Sequence, residues 1–261
     1  MGEAFRDIGT LFTLAYGDAM RLVRTMWRVI GLMLLLIFVA AIPGALLASV
    51  LRTPLSRELV GTLSAVAGLW LAAPYSVALY RFVLTGAVLA PESLRRTDAA
   101  QRFFAWSAMI TFIVSLPSYA YAILGREGPV YAGTGTPPVN VPQTLITFAL
   151  MIATWIFATR AITLLPAVAM DRPVDLRQAL AQTRGRFWFI VGATVAAVLP
   201  FGFASAILQI VVSASLGKSI GAFVSVLIAV ATVLFIVQIG ISLSARIYEK
   251  LSPPTDAADQ I

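Results

Sequence analysis

Six apolar runs, each long enough to cross a bilayer, dictate what this chain can become. Hydrocarbon holds no water to satisfy backbone N–H and C=O groups, so a run of that length must close its hydrogen bonds internally as a helix. The first run spans about Val29 to Val50. At about 1.5 Å per residue it reaches about 33 Å, enough for a hydrocarbon core of about 30 Å. The others cover about Leu59 to Val83, Phe103 to Leu124, Thr144 to Ala169, Phe187 to Val212 and Ile220 to Leu243. Only 12% of the 261 residues are charged and 59% are hydrophobic, whereas a soluble domain carries about 25% charged residues. The sequence therefore predicts an all-α polytopic membrane protein with six transmembrane helices in a single domain over 1–251. The tail SPPTDAADQI (252–261) is expected to be disordered and cytoplasmic.

The first 26 residues hold Glu3, Asp7, Asp18 and three arginines before any long apolar run, unlike a signal peptide. The first span is expected to remain in the mature protein. Within residues 4–26, Phe5, Ile8, Phe12, Ala15, Ala19, Leu22 and Met26 recur at steps of three or four. Such a stripe suits either an amphipathic helix lying in the membrane interface or a lead-in that packs on the bundle.

The spans fall into a repeated pattern. PESLRR at 91 and PVDLRQ at 173 share P-x-x-L-R, and each proline lies 15 residues ahead of a tryptophan, Trp106 or Trp188. Both segments then meet Leu-Pro (116–117 and 199–200) and Ala-Ile-Leu (122–124 and 206–208). A weaker copy begins at Trp27 and carries Ile42-Pro43. The reading is three tandem helical hairpins over about 4–83, 91–169 and 173–245, each opened by an interfacial amphipathic helix. Pro43, Pro117, Pro166 and Pro200 are expected to kink their spans, Gly44 beside Pro43 adding to the first kink, and Trp27, Trp106 and Trp188 to anchor at the interface.

Basic residues orient the chain. Fourteen of the nineteen Lys and Arg side chains lie before the first span, after the second and fourth, and after the sixth; Arg52, Arg57, Arg126 and Lys218 occupy the opposite loops. By the positive-inside rule both termini are cytoplasmic. The net charge of +7 thus reflects span flanks facing anionic headgroups, not a nucleic-acid surface.

The chain has neither His nor Cys, which removes imidazole bases, thiolate nucleophiles and the usual zinc ligands. No carboxylate falls within a span, although coupled carriers commonly place one near the midplane. The expectation is no enzyme activity, no cofactor and no metal. Arg160, flanked by apolar residues, either contacts an anion or snorkels to the headgroups. Arg95, Arg96, Arg102, Arg177, Arg184 and Arg186 join it as candidate contacts for anionic lipid.

The stretch LLPAVAMDRPVDLRQALAQTRGRFW (164–188) resembles a loose group of bacterial six-helix inner-membrane proteins that includes the YciC-like proteins and the membrane domain associated with glycerophosphodiester phosphodiesterases. Leu165-Pro166, Asp171, PVDLR and Arg184-Gly185-Arg186-Phe187-Trp188 carry the resemblance. It implies a multi-pass protein of a bacterial inner membrane and supplies no catalytic residues. Asp171 is expected to accept free amides at a helix start near Pro173. Function is expected in binding: a scaffold, assembly factor or accessory subunit of a membrane complex or of lipid organisation. The alternative is a transporter or channel for an apolar or lipid-like substrate.

The topology has a direct check. A reporter active only outside the cytoplasm should give signal when fused after Gly133 and none when fused after Leu251; the reverse result would overturn the orientation.

Overall fold

The computed structural model describes residues 2–90, 93, 97–124, 141–172, 176–215 and 218–251. These residues form α1 (Gly2–Val50), α2 (Pro54–Thr85), α3 (Asp98–Leu124), α4 (Val141–Arg160), α5 (Leu164–Ala169), α6 (Leu176–Gln182), α7 (Phe187–Ser215) and α8 (Lys218–Leu251). Six stretches are long and apolar enough to cross a membrane: Asp7–Val50, Pro54–Thr85, Asp98–Leu124, Val141–Ala169, Phe187–Val212 and Leu227–Leu251. This is the architecture of a multi-pass membrane protein, with no strand among the described residues. Pro91, Glu92, the connection at 125–140, Pro173 and the tail from 252 lie outside them.

Local chemistry sets several boundaries. Thr53 precedes Pro54, whose missing N–H costs nothing at a first helical position, and Thr53 Oγ1 accepts the Ser56 amide at 3.3 Å. Thr97 does the same for Ala100 at 3.4 Å, with Asp98 complementing the helix dipole in the first turn of α3. Gly86 (φ +75°) ends α2 and Gly185 (φ +78°) turns the chain from α6 into α7, a backbone region that costs glycine little.

The fourth span is discontinuous. Residues 161–163 form a turn between α4 and α5 where the apolar run reads as one helix. Pro166 has no amide for the carbonyl of Ile162, and its ring crowds that carbonyl, so the ladder breaks one turn before the proline. Pro43, Pro117 and Pro200 lie inside α1, α3 and α7, and Pro74 lies inside α2. In α1 the departure from helical geometry comes at Met26 (φ −112°, ψ 20°).

By backbone contacts the chain forms two compact units. The first gathers residues 1–27, 78–89 and 162–261. Its core sets Leu11, Ala15 and Ala19 of α1 against Ile190, Ala193 and Ala197 of α7 and Ile239, Leu243 and Ile247 of α8. Alanines on two of the three faces allow the backbones to approach closely, which is how helices associate without a hydrophobic drive. Tyr16 donates to the Ala197 carbonyl at 2.8 Å, and its ring stacks with Phe201, which stacks in turn on Phe235 (centroids 5.5 Å apart in each pair). The apolar stripe of the N-terminal segment is thus buried by protein, as in the lead-in reading.

The second unit comprises residues 28–77 and 90–161. Here α3 packs on α4, and α1 meets α2 at Gly44. A Cβ added to Gly44 would fall 1.8 Å from Ser64 Oγ and 2.6 Å from Ser64 Cβ, so the two helices touch through the missing side chain.

Gly44→Ala should therefore destabilise the chain by about 1–3 kcal/mol through overpacking, read as a lower midpoint of thermal unfolding in mild detergent. Gly61, with nothing near its Cβ position, is the control: Gly61→Ala should unfold no earlier than the parent. Equal behaviour of the two variants would refute the close approach.

Candidate functional site

The first unit concentrates charge at its helix ends. Arg81 donates through Nε to the Ala169 carbonyl at 2.7 Å and through its second guanidinium nitrogen to the Asp171 carboxylate. That carbonyl belongs to the end of α5, where the Asp171 amide bonds Val168 O and the Arg172 amide bonds Ala167 O, each at 3.1 Å. This is the Schellman arrangement, whose left-handed position usually holds glycine; Asp171 occupies it with φ 57°. The resemblance-bearing Asp171 therefore closes α5 and anchors Arg81. Pro173, where it was expected to serve a helix start, lies outside the described residues.

Two further ties join the N-terminal segment to α8. Arg246 pairs with Asp18 and with Glu249, and Lys250 with Asp7, all at 2.6 Å. The helix continues to Leu251, eight residues past the apolar run ending at Leu243, because these cations find carboxylates on α1. Arg21 lies 5.1 Å above the Phe82 ring, Arg172 5.6 Å from Tyr248 and Lys250 5.1 Å from Phe189, close enough for cation–π attraction.

The sequence-predicted contacts distribute unevenly. Arg95 and Arg96 lie outside the described residues. Arg102 is exposed and donates to the Asp98 carbonyl at 3.3 Å. Arg160 is half-buried as the last residue of α4, where the helix dipole favours a cation. Arg177, Arg184 and Arg186 are exposed and make no ion pair among the described residues. Beside them Trp188 is 78% exposed, its ring edge-on to Phe187 at 5.2 Å. Trp27 is also exposed, while Trp106 is half-buried. Arg177 on α6, Arg184 and Arg186 in the turn after it and Trp188 at the start of α7 thus stand exposed along one stretch of the chain.

A second feature is a set of buried polar side chains, of which Gln238 stands out in the sequence as a rare strongly polar residue within a span and Ser242 and Thr163 do not. Gln238 is 1% exposed, yet neither its Nε2 nor its Oε1 has a hydrogen-bond partner. Ser242, one turn further along α8, and Thr163, which precedes α5, are fully buried with unpartnered hydroxyls. Close by in sequence, Ser244 does find a partner, Tyr80 Oη at 3.0 Å. Gln238, Ser242 and Thr163 are neutral donors and acceptors, and α5 packs on α8. Among the described residues no three His, Cys, Asp or Glu side chains group to hold a metal ion.

Compared with known proteins, the chain matches no family model, no curated protein and no solved structure.

A buried amide without partners costs roughly 1–3 kcal/mol. Gln238→Leu should accordingly unfold at the same or a higher temperature than the parent, while Gln238→Glu, which buries a charge, should unfold earlier. A marked loss of stability in Gln238→Leu would contradict the unpartnered state of this amide.

Proposed function

We propose that the chain is a non-enzymatic integral membrane protein of a bacterial inner membrane that binds anionic lipid at its cytoplasmic face and serves as a scaffold, assembly factor or accessory subunit. The carrying observation is a charge imbalance. In the first unit Asp7, Asp18, Asp171 and Glu249 are engaged by Lys250, Arg246 and Arg81, while Arg177, Arg184 and Arg186 stand exposed beside Trp188. A rim of cations unpaired among the described residues, with an exposed indole, suits a headgroup layer carrying negative charge.

In this reading the six spans form three hairpins with cytoplasmic junctions, α6 and the N-terminal segment lie at the headgroup level, and both termini are cytoplasmic. Only 11% of the most apolar window of the third, fourth and fifth spans is buried, which leaves wide apolar faces for lipid or for the helices of a partner. Arg160 belongs to the same set of headgroup contacts. The buried, unpartnered side chains of Gln238, Ser242 and Thr163 favour the second reading, a transporter or channel for a lipid-like substrate, because polar groups buried in a span commonly mark a path.

The lipid reading has a lipid-composition test. After gentle extraction, the parent should retain phosphatidylglycerol or cardiolipin in excess over their share of the membrane. Near an anionic surface each basic residue contributes roughly 1 kcal/mol, so the triple variant R177S/R184S/R186S should lower that enrichment by about tenfold or more. Unchanged enrichment would rule out the rim as a lipid contact.

A further inference from the structure

A cleft in the second unit has the makings of a binding site for an amphiphile with a positive head. It has a volume of about 480 Å³ and is lined by Glu58, Pro117, Ser118, Tyr121, Thr147 and Met151, among others. That volume falls within the range of about 300–1,000 Å³ typical of small-molecule sites. Its walls are largely apolar, and among the described residues no lysine or arginine lines them.

The carboxylate is the unusual element. Among the described residues Glu58 makes no ion pair, unlike Asp7, Asp18, Asp171 and Glu249. Its neighbour Arg57 forms no ion pair with it and instead donates through Nε to the Leu51 carbonyl at 2.8 Å. The Thr53 cap and Pro54 fix the first turn of α2 and so place Glu58 at the cleft. A second polar group points the same way: the Thr147 hydroxyl is buried and has no hydrogen-bond partner. Tyr121 adds an aromatic ring, and the Gln143 side-chain amide donates to the Tyr121 carbonyl at 3.2 Å, tying the end of α3 to the start of α4.

We propose that this cleft binds a primary ammonium group carried on an apolar body. The ammonium pairs with Glu58 and donates to Thr147 Oγ1, the Tyr121 ring offers a cation–π contact, and Pro117 and Met151 receive the adjoining methylenes. A free alkylamine and an ethanolamine lipid headgroup share this chemistry. The site shares no residue with the arginine rim, so it stands or falls independently of the anionic-lipid reading.

The test uses the purified full chain in detergent with n-decylammonium as the probe and n-decanol as its neutral counterpart. The parent should bind decylammonium at least tenfold more tightly than decanol, and Glu58→Gln should lose that preference while Glu58→Asp keeps part of it. Lipid retained in phosphatidylethanolamine/phosphatidylglycerol nanodiscs then separates the sources. Glu58-dependent retention of phosphatidylethanolamine identifies the headgroup, and retention indifferent to Glu58 identifies a free amine. Should Glu58→Gln fail to purify as a single species, Tyr121→Leu and Thr147→Val carry the measurement, each weakening decylammonium severalfold. Equal affinity for decylammonium and decanol, or decylammonium affinity unchanged across the variants, overturns the proposal.

Discussion

The packing of the N-terminal segment onto the last two spans is the constraint on which the first unit depends. Leu11, Ala15 and Ala19 lie buried among residues of α7 and α8, and at the ends of that contact Asp18 meets Arg246 and Asp7 meets Lys250. An amphipathic segment can bury its apolar face in lipid or in protein. The small side chains on α1 and α7 favour protein, because they let helix backbones approach closely. The ion pairs then fix the register along α8, and they explain why that helix outlasts its apolar run.

Among the described residues of the first unit, once these contacts are made, the charge left for other partners has one sign. Carboxylates at the helix ends are occupied in closing the unit, with Asp171 holding Arg81 at the end of α5. The exposed arginines of α6 and of the turn before α7 are left to the surroundings. Structural pairing thereby produces a basic surface from a sequence that also contains twelve acidic residues. In the second unit Glu58 is a carboxylate at an apolar cleft with no ion pair among the described residues.

The spans were legible because apolar length is a one-dimensional property. The partners were not, because packing joins distant segments: nothing local in residues 11–19 announces contact with residues 190–197 or 239–247. Gly44 reads as part of a proline kink, whereas the structure gives it a contact role against Ser64. Pro166 reads as a kink within a span and instead follows a break in the ladder. The arginines of the rim could be named in advance, since positive charge beside apolar runs is visible in sequence. Asp171 was also visible, although its partner Arg81 lies 90 positions away. Glu58, by contrast, looked like an ordinary polar residue at a span edge, and its place at a cleft depends on how α2, α3 and α4 converge.

The central claim, that the N-terminal segment is a packed part of the protein, is tested most directly by a double-mutant cycle on Asp18 and Arg246. Stability would be measured by thermal unfolding for the parent, Asp18→Asn, Arg246→Gln and the pair. Residues in direct contact couple by about 0.5–3 kcal/mol, so the double variant should cost clearly less than the sum of the single ones. Strict additivity would show that residues 7–26 do not dock on α8 and would contradict the account.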